Sequence, residues 1–302
     1  MNNPINKLVL GTVQFGLDYG INNPNGKPSR KESLAMLDLA YDNGIRIFDT
    51  ASAYGDAEEI LGEFIKSRGL TDKIQVITKL KPNIVNKTGD DSYGIILDNL
   101  KESLKRLNRE YVDGYLFHSP AYIKDKILVD CLCRLKAEGL VKNIGVSIYE
   151  EEDAIYAAQL DEVDYIQVPY SILDQRLNKT NFFEIAKKNN KIVFARSAFL
   201  QGLFFMPEDK IPPYLDGVKK YFKELDEIIG KYNLNRQQAA LLFSYQNEYI
   251  NYIVFGVDNI NQLEEDIEIT KENIDYKDFI EELKNSFINI EKSIIFPSLW
   301  KK

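Results

Sequence analysis

The chain of 302 residues has very little histidine and cysteine, and this scarcity excludes several kinds of site. With two cysteines and one histidine in the chain, no second cysteine pair exists for a zinc site. Cys131 and Cys133 lie two positions apart in a segment with helical spacing, where their side chains point to different faces. We therefore expect reduced thiols and predict neither a disulfide nor a metal site.

Long hydrophobic runs and basic clusters are also missing. No segment approaches the roughly 20 apolar residues of a membrane-spanning helix. The N-terminal segment lacks the basic region and apolar stretch of a signal peptide. A formal net charge of -8 without a basic stripe argues against a nucleic-acid binder. We expect a cytoplasmic protein that binds neither membranes nor nucleic acid, and nothing in the sequence specifies an oligomeric state.

The glycine-rich motifs that bind phosphate are absent. No G-x-G-x-x-G occurs, which argues against an open doubly wound sheet holding a dinucleotide. The segment GINNPNGKPS imitates a P-loop, but five residues separate Gly20 from Gly26 and Pro28 follows Lys27. A P-loop needs about four residues there and a Ser or Thr directly after the lysine. We interpret this segment as a turn.

Short apolar segments typical of strands alternate with segments of helical periodicity along the whole chain. The predicted strands are Lys7–Leu10, Ile45–Phe48, Ile74–Thr78, Val112–Phe117, Asn143–Val146, Tyr165–Val168, Ile192–Ala195 and Tyr252–Phe255. Two helical segments end at Gly44 and Gly69, the residue type found just past a helix C-terminus. Eight strands, each followed by a helical pattern, predict an α/β fold that closes into a parallel (β/α)8 barrel.

The interval after the seventh strand is too long for one helix. Residues 215–233 and 236–247 have the pattern of two helices that follow a loop around Pro207–Pro213. No linker, repeat or low-complexity tract marks a second domain. We therefore predict one domain over residues 1–302.

Polar or ionisable side chains end four of the predicted strands. Asp49 and then Tyr54 follow the second strand, and Lys79, His118 and Ser147 follow the third, fourth and fifth. A (β/α)8 barrel places its catalytic groups at the carboxyl ends of its strands. We therefore expect these side chains to surround one mouth of the barrel.

This set of residue types is suited to reducing a carbonyl. A tyrosine hydroxyl titrates near ~10 and is a weak acid at neutral pH. We predict that the Lys79 ammonium lowers the pKa of Tyr54, that Asp49 keeps Lys79 charged, and that His118 hydrogen-bonds the carbonyl oxygen. Each residue alone also has a structural interpretation, as a cap, a strand-end charge, a packing residue or a core histidine. The joint pattern favours catalysis.

The segment DTASAYGDAEEILGEF resembles the D-T-A-x-x-Y-G-x-x-E-x-x-L-G motif of the aldo-keto reductases, and TKL and FHSP resemble that family's lysine and histidine segments. The resemblance covers nearly the whole chain. It implies Tyr54 as general acid, Lys79 and Asp49 as its tuning pair, and His118 as the residue that orients the substrate. It also implies hydride transfer from NAD(P)H bound in an extended form across the barrel mouth, without a Rossmann fold and without a metal.

The resemblance further implies a set of cofactor contacts. These are Gly11, Thr12, Ser147, Gln167, Arg196, Ser197, Phe199, Gly202, Gly256, Asn259, Gln262 and Asp266. Two positions depart from the family around the nicotinamide: Ile148 replaces an asparagine, and Arg196 replaces the aromatic residue that stacks on the ring. Arg196 would stack on the nicotinamide and favour its reduced form, or bind an anionic substrate or the cofactor pyrophosphate.

The adenosine end of the expected cofactor site departs further. Residues 254–270 contain five carboxylates and no Lys or Arg, where the family commonly has basic residues for a 2′-phosphate. Gln262 stands where arginine is frequent, and Asp266 where asparagine is frequent. These carboxylates would serve a 2′-phosphate poorly, or they would form an ordinary surface helix face. The choice between NADPH and NADH is left open.

The first and seventh predicted loops are polar, and with Arg196 they favour a polar carbonyl such as a sugar or a sugar-nucleotide intermediate over an apolar aldehyde or a steroid. The segment LGTVQFGLDYGI resembles a bacterial branch of the family associated with surface-sugar biosynthesis.

Two alternative functions stay open. One is a regulatory, non-catalytic subunit, since potassium-channel β-subunits also resemble this family. The other is an isomerase or aldolase that uses Lys79 as a Schiff-base nucleophile.

Overall fold

The computed structural model describes residues 4–85, 88–89, 91–271 and 276–300. The strands in these ranges are β1 Leu8–Gly11, β2 Ile47–Asp49, β3 Gln75–Leu80, β4 Val112–Phe117, β5 Val141–Ser147, β6 Tyr165–Pro169, β7 Ile192–Arg196 and β8 Tyr252–Phe255. The helices are α1 Val13–Gly16, α2 Arg30–Asp42, α3 Ala57–Arg68, α4 Ser92–Leu107, α5 Lys126–Ala137, α6 Glu151–Gln159, α7 Phe182–Lys188, α8 Lys219–Lys231, α9 Arg236–Tyr245, α10 Ile260–Lys271, α11 Lys277–Ser286 and α12 Lys292–Ile295.

The strands form a closed parallel barrel in chain order, in which β8 pairs with β1. This confirms the predicted (β/α)8 barrel, and each predicted strand is present with ends that differ by at most two residues. The third strand shows why the ends differ. It continues through Lys79 to Leu80 rather than ending at Thr78, because Lys79 pairs with Leu116 of β4. Backbone pairing therefore extends past the apolar run from which the strand was predicted.

Apolar side chains fill the barrel interior and the layer between the strands and the helices. The interior cluster consists of Val9, Ile47, Ile77, Leu116 and Phe194. A larger cluster joins the outward faces of the strands to the surrounding helices. Each fully buried aliphatic or aromatic side chain of this kind contributes about 1.5–3 kcal/mol relative to an exposed one. The closed sheet is thus packed on both faces, as a parallel sheet requires.

The chain after β7 contains the two helices that the sequence predicts. The second of them, α9, has an Asn235 capping box, in which Asn235 accepts from the Gln238 N–H and Gln238 accepts from the Asn235 N–H. The first begins as α8 at Lys219 rather than near residue 215, because Pro213–Val218 form a 3-10 segment. In the ranges that the structure describes, none of the helices combines the length and the apolar character needed to cross a membrane.

A buried ion pair links strands at the amino end of the barrel, opposite the mouth. The Arg109 guanidinium donates to Asp113 Oδ2 at 3.0 Å and to the Ile74 carbonyl oxygen at 3.2 Å. Asp113 Oδ2 also accepts from the Val76 N–H at 2.9 Å. Asp113 lies on β4, whereas Ile74 directly precedes β3 and Val76 lies within it, so the pair satisfies backbone groups at the start of the neighbouring strand, and we assign it a role in stability.

We predict that Arg109→Met lowers the free energy of unfolding by about 1.5–3 kcal/mol, because it removes the buried cation from Asp113 Oδ2 and leaves that carboxylate with the more exposed Lys142, 3.1 Å from Oδ1. Urea denaturation measures this loss. Lys126→Met removes an exposed i,i+4 pair with Asp130 and serves as the control, with an expected change below about 1 kcal/mol. Equal small losses in both variants would show that the Arg109 pair does not stabilise the barrel.

Candidate active site

A cavity of about 300 Å³ opens at the carboxyl ends of the strands. Three of the four predicted catalytic residues line it, namely Asp49, Tyr54 and His118, while Lys79 lies behind Asp49. The predicted cofactor residues that line it are Gly11, Thr12, Ser147, Gln167, Arg196, Ser197, Phe199, Gly202, Gly256 and Gln262. The barrel thus brings residues from the ends of seven of its strands, all but β3, to the lining of one site.

The Asp49 carboxylate lies at the centre of this cluster. Its Oδ1 accepts from Lys79 Nζ at 2.6 Å, and its Oδ2 accepts from Gln167 Nε2 at 2.6 Å. Lys79 Nζ also donates to the Thr50 carbonyl oxygen at 2.9 Å. All these side chains are buried, so the carboxylate, the ammonium and the amide satisfy one another. The contact of Gln167 with Asp49 is one that the sequence did not indicate.

Backbone contact between two glycines positions Tyr54 in the cavity. A Cβ built on Gly16 of α1 would lie 1.7 Å from the Tyr54 carbonyl oxygen, and one built on Gly55 would lie 2.3 Å from the Gly16 carbonyl oxygen. Gly55 also has a φ of 53°, which side-chain-bearing residues rarely adopt. The same turn is held by Ser52, whose Oγ donates to the Lys79 carbonyl oxygen at 2.9 Å. The backbone geometry therefore requires a glycine directly after Tyr54, in addition to the chemical reason for the tyrosine itself.

The electrostatics of Tyr54 differ from the prediction. Burial and the nearby Asp49 carboxylate raise the pKa of Tyr54 above its usual range, and Arg196 partly opposes this. Lys79 Nζ lies 5.2 Å from the Tyr54 ring centroid, but its charge is paired with Asp49. Burial also lowers the pKa of Lys79, which the Asp49 carboxylate opposes. The expected acidification of Tyr54 by Lys79 is therefore not found, and the phenol stays protonated at neutral pH.

The single histidine lies against Tyr54. The two rings meet edge to face, with centroids 5.6 Å apart. Burial, together with the charges of Lys79 and Arg196, lowers the pKa of His118 to about 3. The imidazole is therefore neutral at physiological pH and can donate one ring N–H. Its Nδ1 is buried and has no hydrogen-bond partner among the described residues.

Arg196 ends β7 and enters the cavity without a carboxylate partner in the described part of the chain. Its Nη2 donates to the Ile148 carbonyl oxygen at 2.8 Å, and its Nη1 donates to Ser197 Oγ at 3.2 Å. The guanidinium carbon lies 4.5 Å from the centroid of the Tyr149 ring, and Nε is buried without a partner. The Ile148 side chain is buried, so this position contributes its carbonyl group to holding Arg196.

Two loops meet over the cavity. The Ile21 N–H in the loop after β1 donates to the Gln201 carbonyl oxygen in the loop after β7 at 2.9 Å. Ser197 and Gln201 have φ values of 66° and 55°, which are uncommon for residues with side chains. Such backbone costs about 1–3 kcal/mol per residue and persists only where the surroundings hold it. This strained loop places the Phe205 ring at the cavity rim.

Two predicted cofactor residues, Asn259 and Asp266, are not among the residues that line the cavity. The Asn259 side chain accepts from the Gln262 N–H at the start of α10. Asp266 is buried and accepts from Gln237 Nε2 of α9 at 2.9 Å. Gln262 and Asp266 lie one turn apart on α10. Gln262 lines the cavity, whereas Asp266 contacts α9.

The cavity also contains side chains that sequence reasoning missed as site residues. Among them are Gln14, Tyr149, Phe205 and Asp258. Tyr149 lies two positions after Ser147, so strand alternation was a usable signal for it. Gln14 lies in the short helix α1, Phe205 in a 3-10 segment and Asp258 in a loop, and none of these has a periodicity from which to predict.

The sequence profile of the Aldo/keto reductase family matches residues 7–284, which is most of the chain. The chain belongs to the aldo/keto reductase family. It is an oxidoreductase, and the four residues Asp49, Tyr54, Lys79 and His118 of the family's motif segments meet at its barrel mouth.

Similar proteins agree with this membership. The NADH-specific methylglyoxal reductase of Escherichia coli is 26% identical over 80% of this chain and 78% of its own length. The D-threo-aldose 1-dehydrogenase of a Pseudomonas species is 27% identical over 80% and 83%, respectively. A solved aldo-keto reductase from Bacillus halodurans, in its holo form, superimposes with a TM-score of 0.74 at 19% identity, over 96% of this chain and 95% of that one. This last likeness shows the shared barrel fold.

Because the chain has one histidine, its protonation can be followed without ambiguity. We predict that the His118 ring resonances in NMR spectra do not shift between about pH 5 and 9, since burial lowers the pKa of this group to about 3. Below about pH 6.5 the unfolded chain binds a proton that the folded chain does not, so this group destabilises the fold as the pH falls towards 3. A titration midpoint near 6.5 would contradict this environment.

Proposed function

We propose that this protein reduces a polar, sugar-like carbonyl to an alcohol with NAD(P)H, and that Tyr54 is the general acid. The observation that carries the proposal is the meeting of a protonated tyrosine with a neutral histidine at 5.6 Å between ring centroids, in a cavity large enough for a ligand. A tyrosine hydroxyl and an imidazole N–H can both donate to one carbonyl oxygen. The buried Asp49–Lys79 pair lies directly behind them.

The residues of the cavity are suited to a nicotinamide cofactor. Three of the four buried side-chain atoms that lack a partner among the described residues belong to the lining: Gln14 Oε1, His118 Nδ1 and Arg196 Nε. Buried polar atoms of this kind are normally satisfied by a ligand or by water. Gly11, Thr12, Ser147 and Ser197 would hold the cofactor through small side chains and backbone groups.

The chain's own contribution to the reaction is proton delivery and orientation. A bound, reduced nicotinamide supplies the hydride to the carbonyl carbon. As negative charge grows on the carbonyl oxygen, the Tyr54 hydroxyl transfers its proton to that oxygen and the O–H bond of the phenol breaks. The neutral His118 donates a hydrogen bond to the same oxygen and fixes its position. The Arg196 guanidinium, which lines the same cavity and favours the ionised form of Tyr54, stabilises the phenolate that is left.

The geometry disfavours the two alternatives. A Schiff-base nucleophile must reach the substrate, but Lys79 is 1% exposed, is bonded to Asp49 and Thr50, and does not line the cavity. A purely regulatory nicotinamide-binding subunit does not need a proton donor at the cavity. The neutral imidazole of His118 beside the hydroxyl of Tyr54 supports a catalytic role instead.

The cavity rim supports a polar substrate. Tyr19, Tyr149 and Phe205 present aromatic rings, while Asn22 and Gln201 present amides. Aromatic rings interspersed with hydrogen-bonding groups match a molecule that has both apolar faces and hydroxyl groups, as a sugar does. One relative is named an aldose dehydrogenase, which is in keeping with this substrate class. The unpaired guanidinium of Arg196 would bind an anionic group on such a substrate.

We predict that Tyr54→Phe lowers kcat for carbonyl reduction by about 100-fold or more, because the ring stays and only the proton donor is lost. The dissociation constant of the reduced cofactor, measured by fluorescence, should change less than about threefold. The matched control is Tyr214→Phe, which alters an exposed tyrosine away from the cavity. If Tyr54→Phe keeps kcat within a few-fold of the parent, another group supplies the proton.

Arg196 is tested with glyceraldehyde and glyceraldehyde 3-phosphate, which share a carbonyl and differ in charge. We expect Arg196→Met to raise KM for the phosphorylated substrate by about tenfold, because one charge-assisted hydrogen bond contributes about that factor to binding. The KM for the neutral substrate should change much less. Arg196→Lys keeps the charge and should restore most of the preference. Equal increases for both substrates would show that Arg196 does not bind the anionic group.

A further inference from the structure

Asp258 is a charged residue of the cavity that the proposed reaction does not use. It follows β8, which lies across the closed barrel from β4, the strand that precedes His118. In the proposed function, the nicotinamide must lie beside Tyr54 and His118. The far end of an extended cofactor would then reach the part of the cavity that Asp258 lines, together with Gln14 and Gln262.

The Asp258 carboxylate is held in place. Its own N–H donates to Gln262 Oε1 at 2.8 Å, and its side chain is hydrogen-bonded to the side chains of Gln14 and Gln262. The neighbouring Gly256 leaves room for this arrangement, because a Cβ there would lie 2.4 Å from Gln14 Oε1. The half-buried carboxylate is thus part of a built cluster, unlike a surface acid that moves freely in solvent.

The charged side chains of the cavity lining are unevenly distributed. Among the described residues that line it, Arg196 carries the positive charge, and the imidazole of His118 is neutral. Arg196 is bound to the Ile148 carbonyl oxygen and packs on Tyr149, both of which follow β5. At the Asp258 end, the other polar side chains of the lining are the amides of Gln14 and Gln262.

We propose that Asp258 makes this protein select NADH over NADPH. The carboxylate can accept a hydrogen bond from the 2′-hydroxyl of the adenosine ribose, as acidic residues do in Rossmann sites. A 2′-phosphate at the same place carries close to two negative charges and would face a carboxylate, while Arg196, the cation among the described lining residues, is bonded to the Ile148 carbonyl oxygen and Ser197 Oγ. The inference rests on the proposed function and adds which of the two dinucleotides the site prefers.

The cluster also predicts that a single arginine would not be enough to make the site bind NADPH well. An arginine in place of Gln262 would lie beside the Asp258 carboxylate and pair with it, which leaves little charge for a phosphate. Gln262→Arg also removes the acceptor of the Asp258 N–H. We therefore expect the double variant Asp258→Asn/Gln262→Arg to bind NADPH more tightly than either single variant does.

The test measures dissociation constants by calorimetry for NADH and NADPH, and for the fragments AMP and adenosine 2′,5′-bisphosphate. We expect the parent to bind NADH at least about tenfold more tightly than NADPH, and Asp258→Asn to reduce this ratio by about tenfold, mainly by tighter NADPH binding. Asp258→Glu keeps the charge and should keep the preference. Glu264→Gln, which neutralises an exposed carboxylate of α10 outside the lining, should leave the ratio within about twofold.

The outcomes separate this inference from the proposed function. If neither dinucleotide binds the folded parent, the proposed function fails, and the inference fails with it. If both bind but the parent prefers NADPH, or if Asp258→Asn leaves the ratio unchanged, the assignment to Asp258 is overturned while the proposed function stands. The two fragments report on the adenosine end alone, so their ratio does not depend on catalysis.

Discussion

The carboxylate of Asp49 is the group on which the arrangement of the active site depends. It accepts from Lys79 on β3 and from Gln167 on β6, and so links three strands of the barrel at the mouth. A buried ammonium or carboxylate that loses its partner is strongly destabilising, so these groups have little freedom to rearrange. Tyr54 and His118 then lie above a fixed, neutral ion pair, which is the preorganisation that proton transfer to a carbonyl oxygen needs.

The two groups proposed to handle the proton and the carbonyl oxygen are themselves uncharged. Tyr54 and His118 are both neutral because burial disfavours their ionised forms. The unpaired charges of the lining are the guanidinium of Arg196 at the end of β7, which acts on both Tyr54 and His118, and the carboxylate of Asp258 beyond β8. We infer that the neutral centre performs the chemistry, and that the two charged positions choose which substrate and which cofactor enter.

Much of this protein was predictable from the sequence, because local rules govern the features concerned. Eight apolar runs alternating with helical periodicity indicated the barrel, and the ends of the runs placed Asp49, Tyr54, Lys79 and His118 at one mouth. Parallel strands have their carboxyl ends on the same side, so residues far apart in sequence could be grouped from the sequence alone. The motif around Tyr54 also identified the family correctly.

The protonation states and hydrogen-bond partners of the site residues were decided by the tertiary structure. Sequence reasoning gave Lys79 the role of lowering the Tyr54 pKa, but burial and Asp49 act in the opposite direction, and both depend on packing between distant segments. The pairing of Gln167 with Asp49 joins residues 118 positions apart, and Asp258 is held by side chains from two helices, α1 and α10, that are far apart in the chain. Residue types and strand ends follow from local periodicity, whereas desolvation and hydrogen-bond partners exist only once the barrel has closed.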